Sequence, residues 1–210
     1  MHLAPPDGYL AVPASGDGPG VLVLHAWWGL NDILKRFCDR LAAAGFVAFA
    51  PDLYHGQVAD TIPGAQALAG ALEANPQKVG ADVAAAANYL AERVGGDLAV
   101  IGISLGAFYA LYLAAADPDR IRAAVIFYGT GVEEHGNSRA AYLGHFAGDD
   151  EFEPQEAVDS LEQSLLRAGR AATIYRYPGT KHWFFEADRP EYDQASAELA
   201  WERTLAFLRA

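Results

Sequence analysis

The sequence holds one cysteine, Cys38, and one methionine. A lone thiol cannot close an internal disulfide and cannot build a C-x-x-C metal or redox site. Basic residues are also scarce: 15 Lys and Arg stand against 27 Asp and Glu, a formal net charge of −12. Such a surface repels phosphate backbones and anionic lipid heads, so neither nucleic acid nor a membrane is an expected partner. No apolar run reaches the roughly 18 residues that a membrane-spanning helix requires. Residues 1–7 show no basic segment followed by an apolar one, and the expected location is cytoplasmic. Internal repeats, low-complexity tracts and linkers are missing as well. With 52% hydrophobic residues in a chain of 210, one well-buried domain spanning 1–210 is expected.

What is present is an alternation of short apolar runs with helical patterns, which predicts a mostly parallel sheet covered by helices on both faces. The expected strands are 21–24, 47–50, 98–103, 123–127, 142–147 and 173–177, with an edge strand over 9–13. Asn31 is placed to cap a helix with Ile33, Leu34, Phe37 and Leu41 on one face, stopped by Gly45. Asn75-Pro76 opens a second helix, and Pro154 occupies the first turn of a third. A last helix is expected from about Pro190 almost to Ala210. Residues 57–74 and 129–139 read as irregular loops, too short for a lid domain.

Between the apolar run Leu98-Ala99-Val100-Ile101 and the helical pattern 107–116 stands Gly102-Ile103-Ser104-Leu105-Gly106. Strand, sharp turn and helix are the context of a G-x-S-x-G nucleophile elbow, whose flanking positions must be small because strand and helix nearly touch. A serine hydroxyl is a weak nucleophile at neutral pH. It needs an imidazole to take its proton and a carboxylate to hold that imidazole in the right tautomer.

His182 is the best placed of the six histidines, after the strand 173–177 and the turn Pro178-Gly179-Thr180-Lys181. The carboxylate should lie in Gly148-Asp149-Asp150-Glu151, where counting alone leaves Asp149 and Asp150 both open. The negative oxygen of a tetrahedral intermediate calls for two aimed N–H groups. Leu105, at the start of the helix after Ser104, is one expected donor, and Trp27 in the loop after 21–24 is the other. Trp28, Tyr54 and Trp183, all beyond strand ends, are the expected lining of the substrate pocket.

Taken together these segments resemble the dienelactone hydrolase family of small lidless α/β-hydrolases. The resemblance runs through His25-Ala26-Trp27-Trp28-Gly29-Leu30-Asn31, Pro51-Asp52-Leu53-Tyr54, the elbow, His145 to Pro154 and Tyr177 to His182. It implies the α/β-hydrolase fold and a catalytic aspartate four residues before the proline of the fourth segment, which is Asp150. It implies neither metal nor cofactor.

Two departures are informative. Well-known members carry cysteine in the elbow and glutamate after the first histidine, where this chain has Ser104 and Ala26. A serine has no thiolate to manage, and a carboxylate beside it would oppose the oxyanion. Arginines that hold a substrate carboxylate in the family correspond here to Gly56 and Glu186, which argues against an anionic lactone.

The resulting expectation is a carboxylic ester hydrolase with a serine nucleophile, acting on a small ester or lactone as a monomer or weak homodimer. Amide or peptide cleavage would use the same parts. A non-catalytic binding module on a hydrolase scaffold is disfavoured because no position of the triad is empty.

Overall fold

The computed structural model describes residues 5–132 and 134–210. One seven-stranded sheet runs through it, built from β1 (Gly8–Ala11), β2 (Gly20–Leu24), β3 (Val47–Pro51), β4 (Leu98–Ile103), β5 (Ile121–Phe127), β6 (Ala141–Ala147) and β7 (Ala172–Tyr177). The strand order is β1-β3-β2-β4-β5-β6-β7. Only β1 runs antiparallel, pairing with β3; the remaining pairs are parallel. The helices are α1 (Asp32–Ala43), α2 (Ile62–Glu73), α3 (Pro76–Val94), α4 (Leu105–Ala116), α5 (Gln155–Arg167) and α6 (Gln194–Leu208).

Side chains alternate across a strand, so each buried strand feeds two cores. Val21 and Val23 of β2 face Leu34, Phe37 and Leu41 of α1 and Trp201 and Leu208 of α6. Leu22 and Leu24 face the opposite layer, with Val83 and Leu90 of α3, Leu111 of α4 and Val158 and Leu161 of α5. Each such side chain contributes roughly 1.5–3 kcal/mol on burial, which ties both helix layers to the sheet. Among the described residues no helix is long and apolar enough to cross a membrane.

Asn31 caps α1 as expected, its Oδ1 accepting from Leu34 N at 3.0 Å, and Gly45 follows the helix at φ +98°. The expected loop over 57–74 instead contains α2. Thr61 Oγ1 accepts from Gly64 N at 3.3 Å, but the helix buries only Ala65 and Ala69. Without a stripe of large apolar residues its periodicity is weak. Pro154 stands just before α5 rather than inside its first turn. The last helix begins at Gln194, where Asp193 accepts from Ser196 N at 2.8 Å, and not at Pro190. The edge strand sits slightly earlier than 9–13, and Asn75 precedes α3 without a side-chain cap.

Candidate active site

Because β4, β6 and β7 are parallel, the loops that follow them emerge at one edge of the sheet. Ser104, directly after β4, has φ +52° and ψ −116°, a conformation that L-residues rarely adopt. The two elbow glycines make it attainable. A Cβ on Gly102 would stand 2.4 Å from Gly106 O, and one on Gly106 would stand 2.1 Å from Leu24 O. The turn is held further by Ser104 N donating to Phe127 O at 2.9 Å and Ala107 N to Ser104 O at 2.8 Å.

Ser104 Oγ lies 3.0 Å from His182 Nε2, and His182 Nδ1 lies 2.8 and 3.0 Å from the two oxygens of Asp150. Asp150 Oδ1 also accepts from Phe152 N at 2.9 Å and Glu153 N at 3.0 Å. A carboxylate that accepts from those amides leaves His182 Nδ1 as the donor, so Nε2 is free to accept the serine proton. The side chains of His182 and Asp150 are only 6% and 1% exposed. Asp149, the other aspartate of the turn, is exposed, and its backbone N–H donates to Thr180 O. Sequence position left two aspartates open; the fold brings Asp150 to the histidine.

The two expected N–H donors face no competing acceptor: neither Leu105 N nor Trp27 N donates a hydrogen bond among the described residues. The loop carrying Trp27 is braced by His25. Its buried ring, with a pKa lowered by desolvation, donates from Nδ1 to Ala26 O at 2.8 Å and accepts from Leu53 N at Nε2, 3.3 Å. Ala26 C=O and Trp27 N–H belong to one planar peptide. Anchoring the carbonyl therefore fixes the direction of the N–H, and it points to the opposite side.

A pocket of about 350 Å³ opens over Ser104, walled by Trp27, Phe108, Tyr109, Phe152, Trp183, Thr130, Glu73 and Glu153 along with Leu105 and His182. Trp183 is among these walls. Trp28 and Tyr54 are not, which corrects the sequence-based assignment. Trp28 is 2% exposed and turns into the core, its ring 5.3 Å from that of Trp183 and covered by the Arg189 guanidinium at 4.1 Å. Of the adjacent tryptophans it is Trp27 that faces the pocket, edge-on to Phe152 at 5.9 Å. Tyr54 is drawn inward by the turn after β3, where Asp52 accepts from Tyr54 N and Gly56 N. It packs on the His25 ring at 4.7 Å.

Sequence reasoning missed Glu153, Thr130, Glu73, Phe108 and Tyr109 as pocket walls. Glu153 Oε1 and Oε2 accept from Thr130 N at 3.2 Å and Thr130 Oγ1 at 2.7 Å. Burial pushes the Glu153 carboxyl up, and the Thr130 bonds oppose that rise. It also missed Tyr128, at φ +33°, whose ring packs on His182 at 4.8 Å. No local motif marks these positions. Cys38 is buried in α1 with its thiol pushed up to about 12 by burial, which removes it from nucleophilic chemistry.

Glu186 is likewise outside the pocket. It is buried, accepts from Tyr128 OH at 3.1 Å, and lines a separate cavity of about 460 Å³ together with Ala26, Leu34, Phe37, Ile103 and Phe185. Burial raises its carboxyl from 4.5 to about 8. Between those values the unfolded chain has released a proton that the native state retains, so stability falls as pH rises through that window. Glu186→Gln removes this loss. The melting temperature of the variant minus that of the parent is expected to climb from pH 5 to pH 8 and then level off; a difference flat with pH would contradict it.

A mostly parallel sheet with a strained serine after one strand, and carboxylate and imidazole after later ones, defines the α/β-hydrolase fold. Residues 7–210 match the dienelactone hydrolase family, and the chain belongs to that family. It is 35% identical over 218 residues to "Protein usf" of Aquifex pyrophilus, covering 96% of this chain and 92% of that protein. A protein of Aquifex aeolicus, provisionally named a carboxymethylenebutenolidase, is 33% identical over 217 residues with the same two coverages. Among solved structures, a provisionally named dienelactone hydrolase from Klebsiella pneumoniae subsp. pneumoniae superposes with a TM-score of 0.84 at 31% identity, covering 96% of this chain and 92% of that one. Family and relatives indicate a hydrolase.

Proposed function

We propose that the protein is a serine hydrolase that cleaves carboxylic esters or lactones through an acyl-enzyme, without metal or cofactor. Ser104 is the nucleophile, His182 the general base and then acid, and Asp150 the carboxylate that orients it. The reading is carried by the unbroken line from Asp150 through His182 to Ser104 Oγ on a positive-φ turn.

Ser104 Oγ attacks the ester carbon while its proton passes to His182 Nε2. The carbonyl oxygen becomes an anion, and Leu105 N–H and Trp27 N–H donate to it. As the intermediate collapses, the departing alcohol oxygen takes the proton from Nε2 and the acyl group stays on Oγ. Water then attacks the acyl carbon, yields a proton to Nε2, and the proton returns to Oγ as the acid leaves. A fluorophosphonate probe is expected to label the protein at Ser104 alone. Labelling at another residue, or none under conditions where an aryl ester is turned over, would displace Ser104 from this role.

Substrate charge follows from the pocket walls. Gly56 is exposed outside the pocket and Glu186 faces the second cavity, so neither family arginine position offers a cation to the site. Lys181 is exposed and outside the walls, and Arg189 is held over Trp28 and paired with Asp188. An anionic substrate would lose hydration there without gaining a partner. Neutral aryl or alkyl esters are expected to exceed dienelactone-type anions in kcat/KM by ~10²-fold, roughly 2.7 kcal/mol. Side-by-side kcat/KM for a dienelactone and its neutral methyl ester checks this, and equal turnover of the anion would refute it.

A further inference from the structure

The walls of the pocket over Ser104 carry two glutamate carboxyl groups and, apart from the His182 imidazole, no basic side chain: neither lysine nor arginine is among them. Glu153 is held from one side by Thr130 N and Thr130 Oγ1, both neutral donors, so its carboxyl is positioned without an ion-pair partner among the described residues. Each of its oxygens retains a lone-pair site for another donor. Glu73, the last residue of α2, is exposed at the pocket beside Tyr109, and among the described residues it forms no ion pair. Five aromatic rings make up much of the remaining wall. Aromatic faces together with carboxylates attract an ammonium group, above all an alkylated one that offers few N–H donors. The net charge of −12 adds a long-range field of the same sign.

The position of Glu153 also indicates which half of an ester would carry the charge. Glu153 N donates to Asp150 Oδ1, the carboxylate that holds His182. The proton on His182 Nε2 goes to the departing alcohol oxygen, so the alcohol half occupies the histidine side, where Glu153 stands. Resting on the ester-hydrolase reading of Ser104, we infer that the substrate is an ester whose alcohol carries a positive charge, an amino alcohol or a quaternary-ammonium alcohol. The acyl group lies on the opposite side.

The test compares kcat/KM for acetylcholine with that for its uncharged carbon isostere, 3,3-dimethylbutyl acetate, at low ionic strength. 4-Nitrophenyl acetate serves as the measure of ester hydrolysis itself. The charged ester is expected to be favoured by ~10-fold or more, equivalent to about 1.4 kcal/mol. That ratio should shrink as salt is added. It should fall toward unity in Glu153→Gln and in Glu73→Gln, the latter an exposed change at a helix end that leaves the Asp150 turn untouched. A ratio at or below one in the parent, or a ratio unchanged in both variants, overturns the inference while aryl ester turnover leaves the hydrolase reading standing. A preference for butyl betaine ester, with its charge on the acyl half, over acetylcholine would overturn the assignment to the alcohol side. Failure to hydrolyse any of these esters, 4-nitrophenyl acetate included, would bring down the hydrolase reading and this inference together.

Discussion

Ser104→Ala is expected to lower kcat for a short aryl ester by at least ~10³-fold while leaving the folded state intact. The proposed reaction passes through a covalent bond to Oγ, the hydroxyl that lies 3.0 Å from His182 Nε2. Leu105 N–H and Trp27 N–H remain in the variant, so a residue of catalysis by oxyanion stabilisation survives and the rate does not fall to that in water. The elbow itself depends on Gly102, Gly106 and backbone bonds rather than on the hydroxyl. Unfolding temperature and circular dichroism should therefore match the parent. Retained turnover would mean that a different nucleophile does the chemistry; a variant that loses rate and fold together would call for Ser104→Gly as the cleaner removal.

Asp150→Asn is expected to reduce kcat by a factor approaching ~10⁴. The asparagine oxygen can still accept from Phe152 N and Glu153 N, which preserves the turn. Its amide then presents N–H groups to His182 Nδ1. The imidazole responds by moving its proton to Nε2, and in that tautomer it cannot accept the proton of Ser104. Asp149→Asn makes the opposite comparison. The Asp149 side chain is exposed, and its backbone bond to Thr180 O persists whatever the side chain. Steady-state rates of the two variants decide: a large loss at 149 with little at 150 would transfer the orienting role, and equal large losses would indicate a damaged turn.

Much of this site is visible in the chain because its determinants are local. An apolar strand run, two glycines two residues either side of a serine, and a helix starting at once all lie within about twenty residues, so the turn at Ser104 is marked by its own neighbourhood. The order serine, acid, histidine is legible because parallel strands return every loop to the same edge. By contrast, the pattern over 57–74 reads as loop although it contains α2, because that helix buries two alanines and no large side chain. Pro154 and Pro190 mark the neighbourhood of helix starts, but the caps themselves fall where backbone and side-chain bonds are best made, at Pro154 itself and Asp193.

Legible in the chain itself are the sheet with its two helix layers, the tight turn that carries Ser104 between strand and helix, and the placement of His182 after the last strand, since each follows from periodicity, glycine and proline placement within a short window. The fold, and not the local pattern, sets which of two adjacent tryptophans faces the pocket and packs Tyr54 and Trp28 away from it; it also brings Asp150, the aspartate that the family resemblance selects, to His182. The same holds for Glu73 and Glu153, brought to one pocket from α2 and from the turn after β6, and for Glu186, sent to a separate cavity. The physical reason is common to all of them. Beyond a strand end the backbone leaves regular φ and ψ, as at Tyr128, Gly29 and Trp183 with positive φ. The direction of a side chain there is set by the surfaces that arrive from distant parts of the chain, not by its own neighbours in sequence.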